Sequence, residues 1–274
     1  MNVSGLSDKS NIKVFKKCID KNLNIDCAIN SIITEYDIKH AHPSALYFIY
    51  GEDKYKELLS KGKEYYTVEC GKMILADKTL YEKIDKLVLS WFNRFCSDNN
   101  IKNSNFISST RDSILLLNKK PIHTVYDDGV VEFRNKDGEF TTYLRFRNAK
   151  RELEILYDGM TNNIRIKGVN KELYSDAASF IKLLKSCVAV LESADKLNTG
   201  SLIKKMNYIR QKYMTSTDVN LYKSIMDDNS FVYQLNGERV LSSGLIPGHD
   251  DELVRSDNFV NFFIPILKLV MRSR

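Results

Sequence analysis

The sequence predicts an α+β protein: short antiparallel strands packed on helices, followed by a mainly helical region. Three observations lead there. The run Ser31 to Ile38 is rich in β-branched and aromatic residues, the texture of a strand on a half-buried surface. Lys72 to Phe95 repeats Ile74, Leu75, Leu80, Ile84, Leu87, Val88, Trp91, Phe92 and Phe95 at three- and four-residue steps, which predicts an amphipathic helix. Beyond Gly168 helical spacing dominates, with Ala177, Phe180, Ile181, Leu184, Val188 and Leu191 on one face.

The elements follow in order. Residues 12 to 30 place Val14, Phe15, Ile19, Leu23 and Ile25 at spacings that fit a short helix and a turn, so residues 1–30 read as an N-terminal helical segment. After the strand at 31–38, Pro43 suits the first turn of a helix, where its missing N–H is no loss. Glu52 to Glu69 is charged and Tyr-rich, and Asp98-Asn99-Asn100 ends the long helix from Lys72. Phe106 to Leu117 reads as two short strands with Asp112 near their junction, closed by a turn at Asn118 to Pro121. Further strands are predicted at Val130 to Arg134, Thr141 to Arg147 and Ile164 to Val169, with Asp137-Gly138 as a hairpin turn. Ser175 is a plausible N-cap for a helix through Leu197. A second helix spans Ser201 to Tyr213, Asn236-Gly237 marks a hairpin, and Asp257 to Arg272 forms a terminal helix interrupted at Pro265.

Composition narrows the class. With 274 residues, 43% hydrophobic and 28% charged, the chain can bury a real core. Lys+Arg 41 against Asp+Glu 35 gives +6, a mild excess that suits a nucleic-acid or phosphate partner without demanding one. The 5 Cys, at 18, 27, 70, 96 and 187, form no Cys-x-x-Cys pair, so zinc and thioredoxin-type sites are not expected and a reducing compartment is. Met1 to Asn11 is polar, without a signal-type apolar core, so a cytoplasmic location is expected. The apolar stretch Phe259 to Met271 contains Asn261, Pro265 and Lys268, too short and polar for a bilayer that needs roughly 20 residues; no membrane partner is expected.

Two acids stand out. Asp37 ends a strand that turns into a helix, and Asp112 sits at a strand junction before an apolar run. The strand fixes such a carboxylate while the turn keeps it exposed. Carboxylates from two strands can hold two Mg²⁺ about 3.5–4 Å apart, the arrangement of polymerases and nucleases. The bland reading is a pair of solvated turn residues.

The surrounding residues resemble a known pattern. Asp37-Ile38-Lys39-His40-Ala41-His42-Pro43-Ser44-Ala45-Leu46 resembles the first palm motif of family B DNA polymerases, with Asp, Pro, Ser and the apolar pair in register. Asp112-Ser113-Ile114-Leu115 looks like the second half of that family's Asp-Thr-Asp-Ser hairpin, keeping the essential metal-binding acid while Thr110 replaces the first. Phe140 to Leu144 and Ile164 to Val169 look like the family's Lys-Lys-x-Tyr and Lys-Gly-Val segments.

The resemblance implies a palm-like antiparallel sheet with a reduced fingers element over 31–170 and a thumb-like helical region over 171–274. It implies Asp37 and Asp112 as catalytic acids, and Asp37, Asp112 and Ile38 at Mg²⁺ or Mn²⁺. His42 and Ser44 would flank the incoming nucleotide, His42 where the family has a sugar-packing aromatic. The family's triphosphate-gripping Lys has no recognisable counterpart; Lys61, Lys63 and Lys72 are the candidates. Tyr143 and Lys167 would lie near the primer end. The basic set Lys204, Lys205, Arg210 and Lys212, with Tyr208 and Tyr213, could contact phosphates or form a solvated helix face. His40 and His42 are read as structural or sugar-packing, and Arg111 as an ion-pair partner of Asp112. Only 36 residues precede Asp37, so no proofreading domain is expected before it.

Two functional classes follow. One is a template-directed, DNA polymerase-like nucleotidyltransferase taking nucleoside triphosphates and a DNA or RNA primer-template, with a protein partner supplying missing fingers or thumb. The other is a palm-derived protein that has lost catalysis and serves as a nucleic-acid-binding or assembly component. A two-metal nuclease is a weaker third. The Lys-, Asn- and Ile-rich composition suggests an AT-rich genome, and a virus or mobile element would suit it, placing the chain in the host cytoplasm.

Overall fold

The computed structural model describes residues 20–22, 24–147, 152–169, 178–193, 198–215, 232–235, 238–241 and 264–272. The strands are β1 (Asp20–Lys21), β2 (Cys27–Ala28), β3 (Ile33–Ile38), β4 (Phe106–Ser109), β5 (Ser113–Leu117) and β6 (Val125–Tyr126), then β7 (Val131–Phe140), β8 (Thr142–Arg147), β9 (Glu152–Asp158), β10 (Asn163–Lys167), β11 (Val232–Leu235) and β12 (Glu238–Leu241). The helices are α1 (Ala41–Tyr50), α2 (Glu52–Ser60), α3 (Lys63–Ala76), α4 (Lys78–Asp98), α5 (Ala178–Glu192), α6 (Thr199–Met214) and α7 (Ile264–Arg272). The fold is α+β, as the sequence predicts. Contacts divide it into two units, the first from Met1–Asn24 and Ile32–Glu139, the second from Ile25–Ser31 and Phe140–Arg274.

The first unit is built on a six-stranded sheet of order β1-β4-β5-β3-β7-β6. β3 pairs antiparallel with β5 from Ile33↔Leu117 to Asp37↔Ser113. Because strand side chains alternate, Tyr36 and Ile38 share a face with Ile114 and Leu116. These four join Ala45, Leu46, Ile84, Val88, Trp91, Phe92 and Phe95 of the helices in one buried cluster. Phe95 stacks on Phe133 with ring centroids 4.1 Å apart. Asp37 therefore belongs to the face of β3 turned away from the helices.

Helix boundaries here follow local chemistry. The helix predicted from Lys72 is two, because Asp77 is extended (φ −129°, ψ 100°) and caps α4, its side chain accepting from the Thr79 N–H and hydroxyl. Pro43 lies in the first turn of α1, as expected. Asp137 and Gly138, predicted as a hairpin turn, fall within the bounds of β7, and Gly138 there has the left-handed backbone that a turn uses, φ +79°. The Asn135 side chain accepts from the Gly138 N–H at 3.0 Å, so turn chemistry is kept locally within those bounds.

The second unit holds a four-stranded antiparallel sheet of order β10-β9-β8-β2. Leu144, Leu153, Ile155, Ile164 and Ile166 of the sheet bury against Leu184, Val188 and Leu191 of α5, Leu202 and Met206 of α6, and Ile266 and Leu269 of α7. The expected boundary between 170 and 171 thus falls inside this unit, since β8 to β10 supply the surface on which the helices bury their apolar faces. β9 was not expected from the sequence.

The helix expected within residues 12–30 is replaced, where described, by β1 and β2, whose partners are distant: Asp20↔Ser109 and Cys27↔Leu144. Residues 12–19 and Ser175 lie outside the described residues, as do 194–197 of the helix predicted from Ser175 and 257–263 of the predicted terminal helix. The described part of the terminal helix is α7, Ile264–Arg272, with Pro265 as its second residue. β11 and β12 pair antiparallel from Val232↔Leu241 to Leu235↔Glu238, on either side of the predicted Asn236-Gly237 turn, which itself lies outside the described residues.

Candidate functional site

The two acids come from neighbouring strands. Asp37 is the penultimate residue of β3, directly across from Ser113, and the Ile38 N–H donates to the Asp112 carbonyl at 2.8 Å. The hairpin between β4 and β5 is tight: Thr110 N–H donates to Ser113 O at 2.8 Å and the two hydroxyls lie 2.6 Å apart. Thr110, where the resemblance has an acid, thus serves to close the turn. Asp112 is exposed at its tip.

Asp37 is not open. Arg134 on β7 donates to it through Nε at 2.9 Å and Nη2 at 3.5 Å. The Asp37 side chain is only 13% exposed and that of Arg134 52%, so the guanidinium roofs the carboxylate. Its hydrogen bond to Asp37 and the charge there push the Arg134 pKa up further. Beside it, Lys39 pairs with Glu132 at 2.9 Å and His40 Nδ1 lies 3.0 Å from the Tyr66 hydroxyl. Burial, then Lys39 and Arg134, lower the His40 pKa.

A second polar group surrounds the hairpin tip. Arg111 lies over the Tyr81 ring at 4.5 Å, donates to the Tyr81 hydroxyl, and has Nε 3.9 Å from Asp85 Oδ1. The partner expected for Arg111 was Asp112; the contacts it makes are with α4. His42, in the first turn of α1, faces the same group: burial and then Arg111 lower its pKa, while Asp112 and Asp85 oppose them. Burial raises the Asp85 pKa, and His42 opposes it.

The other expected site residues divide by environment. Ile38 is buried among the helix-side residues. Ser44 is fully buried and its hydroxyl donates to the Val130 carbonyl at 2.8 Å, tying α1 to the segment before β7. Lys61 binds Glu57 and Tyr65, Lys72 lies 3.7 Å from Glu69, and Lys63 is exposed at the start of α3. In the second unit, Tyr143 is fully buried and its hydroxyl donates to Glu154 Oε1 at 3.1 Å; burial and Glu154 push its pKa up. Lys167 Nζ lies 4.0 Å from the other Glu154 oxygen, so one acid joins the two residues. Lys204, Lys205, Arg210 and Lys212 are exposed on α6, whereas Tyr213 is buried.

Among the described residues, no group of three or more His, Cys, Asp or Glu side chains could hold a metal ion. With one of its two carboxylates held by a guanidinium, the donor set does not fit a two-metal centre. Arg134, Asp85 and Tyr81 were missed at the sequence level. Arg134 is 97 residues from Asp37, and no local pattern marks it.

A protein-family model described as Bacteriophage PBS1 gene 130 protein matches residues 10–272. The chain belongs to this family. The bacteriophage in that description is in keeping with the viral setting that the composition suggests. No curated protein matches the chain. Among the described residues of this phage-family chain, no helix is long and apolar enough to cross a membrane.

Proposed function

We propose that this chain is a palm-derived nucleic-acid-binding protein in which an internal ion pair stands where a palm enzyme would hold metal. The observation that carries the reading is the two-point contact of Arg134 on Asp37. Palm descent is supported by the strand order, in which the β4–β5 hairpin lies next to β3 and α1 to α4 cover one face. Loss of nucleotide binding is supported by Asp85. That carboxylate on α4 faces Arg111 at the hairpin, adding negative charge where a triphosphate would bring more. The net charge of +6 and the exposed cations of α6 favour a polyanionic partner.

Two measurements test this. Fluorescence anisotropy with labelled DNA and RNA oligonucleotides is expected to show salt-dependent binding. Primer extension with Mg²⁺ or Mn²⁺, a primed template and labelled nucleotides is expected to show no incorporation. Incorporation that vanishes in both Asp37→Asn and Asp112→Asn would replace this reading with a template-directed nucleotidyltransferase, which the neighbouring positions of the two acids favour.

A further inference from the structure

Helix α6 has a different charge pattern from α2 and α4. On α2, at its C-cap and on α4, basic residues pair with acids four positions away: Lys56 with Glu52, Lys61 with Glu57, Arg94 with Asp98. Mixed pairs of this kind make a solvated face. The sixteen residues of α6 include four basic residues and no acid. Leu202, Met206, Ile209 and Tyr213 face the core, which turns Lys204, Lys205, Tyr208 and Lys212 to solvent.

Tyr208 is the centre of that face. The residue is 67% exposed, and Lys204, Lys205 and Lys212 stand at i−4, i−3 and i+4, the positions that adjoin a residue on a helix surface. An aromatic side chain surrounded by lysines offers a flat face to a base and cations to the phosphates on either side. In a duplex the base faces are already covered by stacking; in a single strand they are free.

We infer that α6 is a single-strand nucleic-acid platform, with Tyr208 stacking on a base and Lys204, Lys205 and Lys212 holding the adjoining phosphates. This rests on the nucleic-acid-binding reading above and narrows it to one helix and one form of ligand.

The test is anisotropy of the full chain with a labelled oligo-dT and with a duplex of the same length, over a salt series. Folding of each variant is checked by circular dichroism. The expected result is tighter binding to the single strand. Tyr208→Ala should weaken it about tenfold while Tyr208→Phe keeps it, since a stacked base contributes about 1–3 kcal/mol. Replacing the three lysines by Gln should lower the slope of log K against log salt by about 2, at roughly 0.7 for each phosphate that is no longer neutralised. Wild-type binding that Tyr208→Ala and the lysine variants leave unchanged would overturn the platform and leave the nucleic-acid-binding reading standing. Duplex bound as well as single strand would also overturn it. A chain that binds neither ligand would overturn both.

Discussion

Arg134 Nε lies 2.9 Å from Asp37 Oδ1, joining two strands adjacent in the sheet across 97 positions of chain. Asp37 is nearly buried, so its charge is compensated from the one side that solvent can reach. Substituting Arg134 by Ala should destabilise the first unit by about 1–3 kcal/mol, less than for a fully buried pair because the guanidinium is half exposed. Urea denaturation measures the change, and Asp37→Asn should lose less, since it leaves no uncompensated carboxylate.

Stability should fall as pH is lowered from about 7.5 to about 5.5, and His42 should carry part of the effect. Its folded pKa is depressed, by burial and then by Arg111. The unfolded chain therefore takes up the proton first. The contribution is present above the unfolded value near 6.5 and is lost as pH falls through the folded one. In His42→Gln the difference in unfolding free energy between the two pH values should shrink, and residual dependence should come from His40, depressed in the same sense.

Gly168→Ala should be strongly destabilising, by about 2–4 kcal/mol in thermal or urea unfolding. Gly168 has φ +90°, and a Cβ there would lie 2.5 Å from the Glu152 carbonyl oxygen. Neither the conformation nor the neighbour, which is backbone, can give way cheaply. This is the physical reason for glycine in the Lys167-Gly168-Val169 segment.

Phe95→Ala should cost about 3–5 kcal/mol in unfolding free energy. The ring is fully buried, stacks on Phe133 and lies 5.8 Å from Tyr36, so its loss opens a cavity between α4 and the sheet. Phe95→Leu should recover most of the loss.

Much of the fold was legible because it depends on short-range pattern. β3, the start of α1, the β4–β5 strands and α6 lie close to where periodicity and capping residues place them. The misses have long-range causes. β1 and β2 are two residues each and exist only through partners more than eighty positions away. In the candidate site, Asp37 and Asp112 were visible as strand-end acids, and the structure brings them to neighbouring strands. Their partners were not visible: neither Arg134 on β7 nor Tyr81 and Asp85 on α4 carries a local mark.

By itself, the sequence determined the α+β class, the strand-to-helix turn at Asp37, the acid at the hairpin and the acid-free basic helix, because each is written in residue type and spacing over a few turns. Tertiary structure alone decided whether those acids are available. A carboxylate's chemistry depends on the charges that reach it through a low-dielectric interior, and for Asp37 the decisive charge arrives on a different strand.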